Sequence, residues 1–235
     1  MGSRASRSSR VRPLDALEDA LEREPVNGWL HFAGALLALA GLVVLEAHAA
    51  ERGSARHHVA ALVYGASVLS MFAASANYHL RPRAERRLLF RRLDHAMIYV
   101  CIAGTYTPVC LLGLKGSALG VPMLVGVWVA AVAGVLQKLR YSHAPRALST
   151  GLYLGLGWAG TLAVPVLDRT GLDGFVFWLL AGGLLYTVGA VIYWRRWPRW
   201  GRPGVFGFHE VWHLFVIAAS ATHYWGVLAY LMERA

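Results

Sequence analysis

Two imidazoles stand four residues apart in the stretch His209-Glu210-Val211-Trp212-His213. Residues at that spacing share one face of an α-helix, so both rings can reach one cation, and neutral imidazole is a common ligand for zinc. The same spacing separates Ser75 from His79, and Leu93-Asp94-His95 adds a carboxylate. Two imidazoles from one helix and a third from another leave the fourth tetrahedral position for water, as in catalytic rather than closed zinc sites. Zinc so held lowers the pKa of water to about 7 and polarises a carbonyl. His79, His209 and His213 are therefore the candidate metal ligands. Asp94 is the candidate to take or orient the water's proton, Ser75 to hydrogen-bond water, substrate or a ligand histidine, and Glu210, beside the ligand face, is the alternative base.

Such a site exists only if the chain brings these residues together, and the composition says how. Of 235 residues 57% are hydrophobic and 15% charged, and the mean hydropathy is +0.45, which places the chain among integral membrane proteins. A helix needs about 20 apolar residues to cross the hydrocarbon. Seven stretches meet that length, at about 28–46, 58–80, 93–113, 118–136, 147–167, 174–194 and 207–230. The expected fold is all-α, with seven transmembrane helices over residues 28–235 following a cytoplasmic N-terminal segment, 1–27. Of the 23 Lys and Arg residues, eighteen fall in the N-terminal segment and the second, fourth and sixth connections. The positive-inside rule then puts the N-terminus in the cytoplasm and the C-terminus outside. The net charge of +10 sits between spans rather than on one face of a soluble domain. It calls for no nucleic acid, only anionic lipid headgroups.

That topology, derived from Lys and Arg alone, carries the chemistry to one depth. The second span ends inside with Ser75 and His79, the third starts inside with Asp94, the seventh starts inside with His209 and His213, and the first carries His31 about one turn deep. So many ionisable groups at one depth of a membrane are costly, which makes the layer a functional candidate and favours a cation over a metal-free hydrogen-bond network.

The remaining histidines have plainer readings. His31, His95 and His143 are expected to be packing or interfacial residues, and His48, His57 and His58 solvated loop residues near the outer connection. His223 lies ten residues beyond His213, about 15 Å further along the helix, too far to share its ion, and is expected to hydrogen-bond between helices. Cys101 and Cys110 are about 13.5 Å apart along one helix, too far for a disulfide. Residues 1–13 read as Arg/Ser-rich and disordered, and Leu14, Leu17 and Leu21 among acidic residues as a short amphipathic helix. The Ala47-His48-Ala49 stretch is a poor cleavage site, because the apolar run before it is long and ends in Glu46. Pro108 and Pro165 should kink or break their spans.

The His-Glu-x-x-His letters match zinc proteases, but the surrounding spans exclude a soluble one. Intramembrane metalloproteases carry the motif on an early span and an Asp-containing motif on a later one, the reverse of the order here. A retinal protein needs a lysine within its last span, whereas Lys115 and Lys138 both lie at connections. A G-protein-coupled receptor would place its N-terminus outside. No internal repeat supports an inverted-repeat transporter.

Taken together, Ser75-x-x-x-His79, Phe90-Arg91-Arg92-Leu93-Asp94-His95 leading to Ala103-Gly104-Thr105-Tyr106-Thr107-Pro108, and His209-Glu210-x-x-His213-Leu214-Phe215 resemble the progestin and adipoQ receptor family, most closely its bacterial hemolysin III branch. The resemblance runs from about Asn27 to the C-terminus. It implies seven helices with a cytoplasmic N-terminus, a bacterial inner-membrane location, and zinc held by His79, His209 and His213 beside Asp94 and Ser75. Three functions are then to be separated. The leading one is a zinc-dependent hydrolase of a lipid amide or ester that enters from the bilayer, ceramidase-like and tied to membrane lipid homeostasis. The others are a non-catalytic regulator or sensor stapled by zinc, and a pore-forming cytolysin. The chain lacks the long N-terminal region of adiponectin receptors, so hormone sensing is not implied.

Overall fold

The computed structural model describes residues 25–80, 84–140, 146–198 and 206–233, and among these it is built from helices. Seven are long and apolar enough to cross a membrane: Pro25–Arg52, Ala55–Leu80, Arg86–Gly113, Gly120–Arg140, Ala147–Arg169, Asp173–Arg195 and Phe208–Leu231. The expected N-terminal disorder and amphipathic helix, and His143, lie outside the described residues.

Hydropathy marks the apolar centres of the spans, but most helices continue past them. Helix α1 (Pro25–Arg52) and α2 (Ala55–Leu80) are joined by only Gly53 and Ser54. Gly53 makes the turn with φ of 62°, a left-handed conformation that costs glycine nothing. This overturns the reading of His48, His57 and His58 as loop residues: all three are helical and His57 is buried. Helix α3 (Ala84–Pro108) begins nine residues before its expected span, so Arg86, Arg87, Arg91 and Arg92 are helical. A helix that leaves the bilayer keeps its internal hydrogen bonds, and arginines on it can extend to the headgroups.

The prolines act where expected. Pro108 ends α3, and a π-helical turn, Val109–Gly113, completes the span. In the fifth span α5 (Arg146–Trp158) tightens to a 3₁₀ stretch at Ala159–Ala163, after which α6 (Val164–Arg169) restarts with Pro165 in its first turn. Backbone carbonyls exposed by such a break must find donors, because lipid offers none. The Tyr106 hydroxyl of α3 supplies one, directed at the carbonyls of Leu156 and Gly157 at 2.7 and 2.9 Å.

The spans form a ring: α1 packs on α2, α2 on α3, α3 on α4 (Gly120–Arg140) and α5, α5 and α6 on α7 (Asp173–Arg195), α7 on α8 (Phe208–Gly226), and α8 back on α1. The third span is the most enclosed, two thirds of its apolar window being buried (67%). Polar groups knit the ring at several depths. Trp128 donates to Thr107 at 3.2 Å, Trp158 to Thr187 at 2.9 Å, and Tyr224 to the Gly41 carbonyl at 3.1 Å. His223 reaches the Leu179 carbonyl at 3.0 Å, the interhelical bond its position suggested. Cys101 and Cys110 are free and buried. Closing the ring brings α1, α2 and α8 side by side, and the N-terminal ends of α1 and α8 with the C-terminal end of α2 carry the site.

Candidate metal centre

His79 lies in the last turn of α2, His209 in the first turn of α8 and His213 one turn deeper. One ligand atom from each, all three within 4.8 Å of one another, defines a group able to hold a metal ion. Their ring centroids are 5.2 Å apart for His79 and His209, 5.0 Å for His79 and His213, and 4.8 Å for His209 and His213. His79 and His213 are buried and His209 is half-buried, so the group opens to one side.

Local chemistry fixes this placement. Gly207 is extended (φ −164°) and α8 starts at Phe208. Glu210, in the first turn, turns back so that its Oε2 accepts the Gly207 N–H at 2.7 Å, satisfying an amide that the start of a helix leaves without an internal partner. The helix therefore begins early enough to contain both His209 and His213, which share one of its faces. On the other wall, α1 approaches α2 closely because position 28 is glycine. A Cβ there would come within 2.5 Å of Leu80 Cγ and 3.2 Å of His79 Cβ.

The other candidates are placed differently. Ser75, 2% exposed, lies one turn before His79 on the same face of α2. Asp94 is on α3, its Oδ2 3.8 Å from His95 Nδ1 and its side chain 17% exposed. Neither Asp94 nor Glu210 joins the three-histidine group, and the Glu210 carboxylate is buried and engaged in capping its own helix. His95 Nδ1 bonds to the Arg91 carbonyl at 2.8 Å.

One residue has a larger place than its sequence suggested. His31, read as a packing residue, is 3% exposed and sets its Nε2 2.6 Å from His213 Nδ1. Nothing in the local sequence gives this away, since His31 has no imidazole one turn away on its own helix. Only its predicted depth, shared with the other three, hinted at it.

The donor set suits a borderline-soft divalent cation such as zinc, for which imidazole nitrogen is a preferred ligand. The chemistry of one atom in particular argues for a cation: His213 Nε2 is buried with no hydrogen-bond partner, a costly condition for a polar nitrogen in a membrane interior.

Seven spans, a layer of imidazoles at one end of the helix ring and a helix-capping glutamate define a class, that of multi-pass integral membrane proteins with a candidate metal centre near one end of their spans. The haemolysin-III related family matches residues 20–224, and the chain belongs to that family. It is 36% identical to Hemolysin-3 of Bacillus cereus over 92% of this chain and 94% of that protein. It is 37% identical to the Hemolysin-3 homolog of Bacillus subtilis (strain 168), over 91% and 96%. A more distant relative is the adiponectin receptor protein of Drosophila melanogaster, 29% identical over 64% of this chain and 37% of that one. The chain is accordingly a multi-pass integral protein of the bacterial inner (cell) membrane.

Proposed function

We propose that the protein is a zinc-dependent hydrolase of lipid amide or ester bonds, working at the cytoplasmic boundary of the membrane and serving membrane lipid homeostasis. The observation that carries this reading is the group of three imidazoles from two distant helices, with one member half-buried and no carboxylate within the group. His79, His209 and His213 would hold the ion. Bound zinc supplies a Lewis acid for a carbonyl and lowers the pKa of water. With the histidines at the ends of their spans, the half-buried side of the group would face the level of a lipid's linkage between chains and headgroup, so a substrate could arrive laterally without leaving the bilayer. Of the two carboxylates proposed as base, Asp94 is the better placed by availability, because Glu210 is committed to the Gly207 amide. Asp94 would carry the proton between water and the leaving amine or alcohol. Ser75, buried one turn before His79, would orient a ligand imidazole or the scissile group.

The test is turnover of a panel of lipid amides and esters by detergent-purified, zinc-loaded protein, with Asp94→Asn alongside. Hydrolysis that falls at least 100-fold in Asp94→Asn at unchanged zinc content is expected. Zinc-loaded protein that cleaves nothing in the panel, with cellular lipid profiles unchanged by Asp94→Asn, would sink the hydrolase reading.

A second reading, a non-catalytic regulator in which zinc staples α2 to α8, draws on the same Glu210 observation, since one of the two bases is occupied structurally. It predicts that Asp94→Asn leaves cellular function intact while His79→Ala unfolds the protein.

A further inference from the structure

We infer that His31 is the positioning residue of the metal centre: it holds His213 in the one tautomer, and the one ring orientation, that leaves Nε2 free for a cation. This rests on the metal reading above and adds to it a residue from a third helix. His31 Nε2 and His213 Nδ1 are 2.6 Å apart and their ring centroids 3.9 Å. Two ring nitrogens approach that closely only with a hydrogen between them. A neutral imidazole carries one N–H, so the bond can be written in two ways. If His31 donates, the hydrogen of His213 sits on Nε2 and blocks the lone pair that a cation needs. If His213 donates from Nδ1, its Nε2 presents a lone pair, and that atom is buried without a hydrogen-bond partner. Only the second arrangement is compatible with metal binding, and it makes His31 the acceptor. A metal-ligating histidine commonly gives its other N–H to such an outer partner, which fixes both its tautomer and its angle.

His31 is itself held. Its ring packs edge-on against Phe72 of α2, with centroids 5.0 Å apart at 86°. That contact is close because position 34, less than one turn along α1, is glycine: a Cβ there would meet Phe72 Cδ1 at 2.9 Å. With His31 3% exposed, bulk water does not compete for the His213 N–H. Helix α1 thus supplies no ligand, yet it sets the geometry of a ligand on α8.

The test is zinc binding to the detergent-purified full chain, by competition with a chromophoric chelator, with cobalt(II) as a spectroscopic probe and thermal stability recorded throughout. Wild type, His31→Phe, His31→Asn and His31→Gln are compared. Phenylalanine keeps the ring and removes the acceptor, and asparagine stays polar but is too short to reach His213. Glutamine places an amide oxygen near the position of the imidazole Nε2. Zinc affinity is expected to fall about 10- to 100-fold in His31→Phe and His31→Asn, with about one zinc per chain still bound at saturation and the cobalt ligand-field bands shifted. His31→Gln should recover most of the affinity. A packing role alone would lower thermal stability and leave affinity and spectrum unmoved. Wild-type affinity and spectrum in whichever of the Phe and Asn variants folds would overturn the inference while leaving the metal site standing. A wild-type chain that binds neither ion would bring down the metal reading and this inference together.

Discussion

The two ends of the helix ring both carry histidines, and their partners differ in kind. At the outer end His48 and His58 each face an acid or a backbone carbonyl. His58 Nδ1 is 2.8 Å from Glu46 Oε2, His48 bonds to the Val44 carbonyl at 2.9 Å with Glu233 3.9 Å from its Nε2, and Arg52 pairs with Glu233. At the opposite end histidine faces histidine in the group of His79, His209 and His213 and in the pair of His31 and His213, while His95 keeps to the Arg91 carbonyl. A histidine beside a carboxylate has its hydrogen-bonding capacity used and its possible charge balanced. Histidines gathered without a carboxylate repel one another if protonated, whereas neutral rings so placed suit a shared cation. Residue type does not separate the two ends. The identity of the neighbours does.

Removing a ligand should break this contrast most severely. His213→Ala is expected to lower zinc content from about one per chain to near zero, read by plasma mass spectrometry. Zinc at about 1,000 times its dissociation constant would stabilise the wild type by about 4 kcal/mol, and thermal melts with and without added zinc should show that difference only in the wild type. A variant that still carries one zinc would move the site elsewhere.

The close approach of α2 and α3 supports both ends and gives the next largest effect. A Cβ at Gly104 would lie 1.9 Å from Ser67 Oγ and 2.4 Å from its Cβ. The hydroxyl can rotate away, but the Cβ cannot without moving the backbone. Gly104→Ala should cost about 1–3 kcal/mol, the usual range for overpacking, and lower the melting temperature while the zinc stoichiometry of the folded fraction stays unchanged. Unaltered stability would mean that the two helices can separate more easily than this contact implies.

Much of this arrangement was legible in the sequence, because the bilayer constrains the answer. Hydrocarbon thickness sets a length that seven apolar stretches meet, and arginine placement sets the direction of each, so the common depth of His79, His209 and His213 followed from composition. What could not be read was rotation about each helix axis and the length of helix beyond the lipid. His31 meets His213 only because glycines at 28 and 34 let α1 approach α2, a packing event with no periodic trace. The outer histidines were assigned to a loop because hydropathy ends where the lipid ends, whereas α1 and α2 continue to a two-residue turn. Glu210 was a candidate base on the strength of its letters. Its task at the helix start depends on α8 beginning at Phe208, a boundary that sequence patterns place only within a few residues.

The outer pairs should matter little, and that sharpens the comparison. Glu46→Gln removes the charge facing His58, in a pair whose side chains are 45% and 32% exposed. Exposed pairs contribute roughly 0.2–1 kcal/mol, so the expected loss is under about 1 kcal/mol, with zinc content and affinity unchanged. A loss of zinc in Glu46→Gln would show that the two ends are coupled through α1 and α2.

An effect of similar size separates the two meanings of the His-Glu-x-x-His letters. Glutamine at position 210 keeps an oxygen able to accept the Gly207 N–H, now held at 2.7 Å by a carboxylate, and loses only the charge near the N-terminal end of α8. That charge is worth roughly 0.3–1 kcal/mol, so Glu210→Gln should melt slightly lower, bind zinc as the wild type does and keep whatever hydrolytic rate the wild type has. Glu210→Ala, which removes the acceptor as well, should lose about 1 kcal/mol more. A rate that collapses in Glu210→Gln at normal zinc content would instead make the cap carboxylate the base, and Asp94 would then be the structural residue of the two.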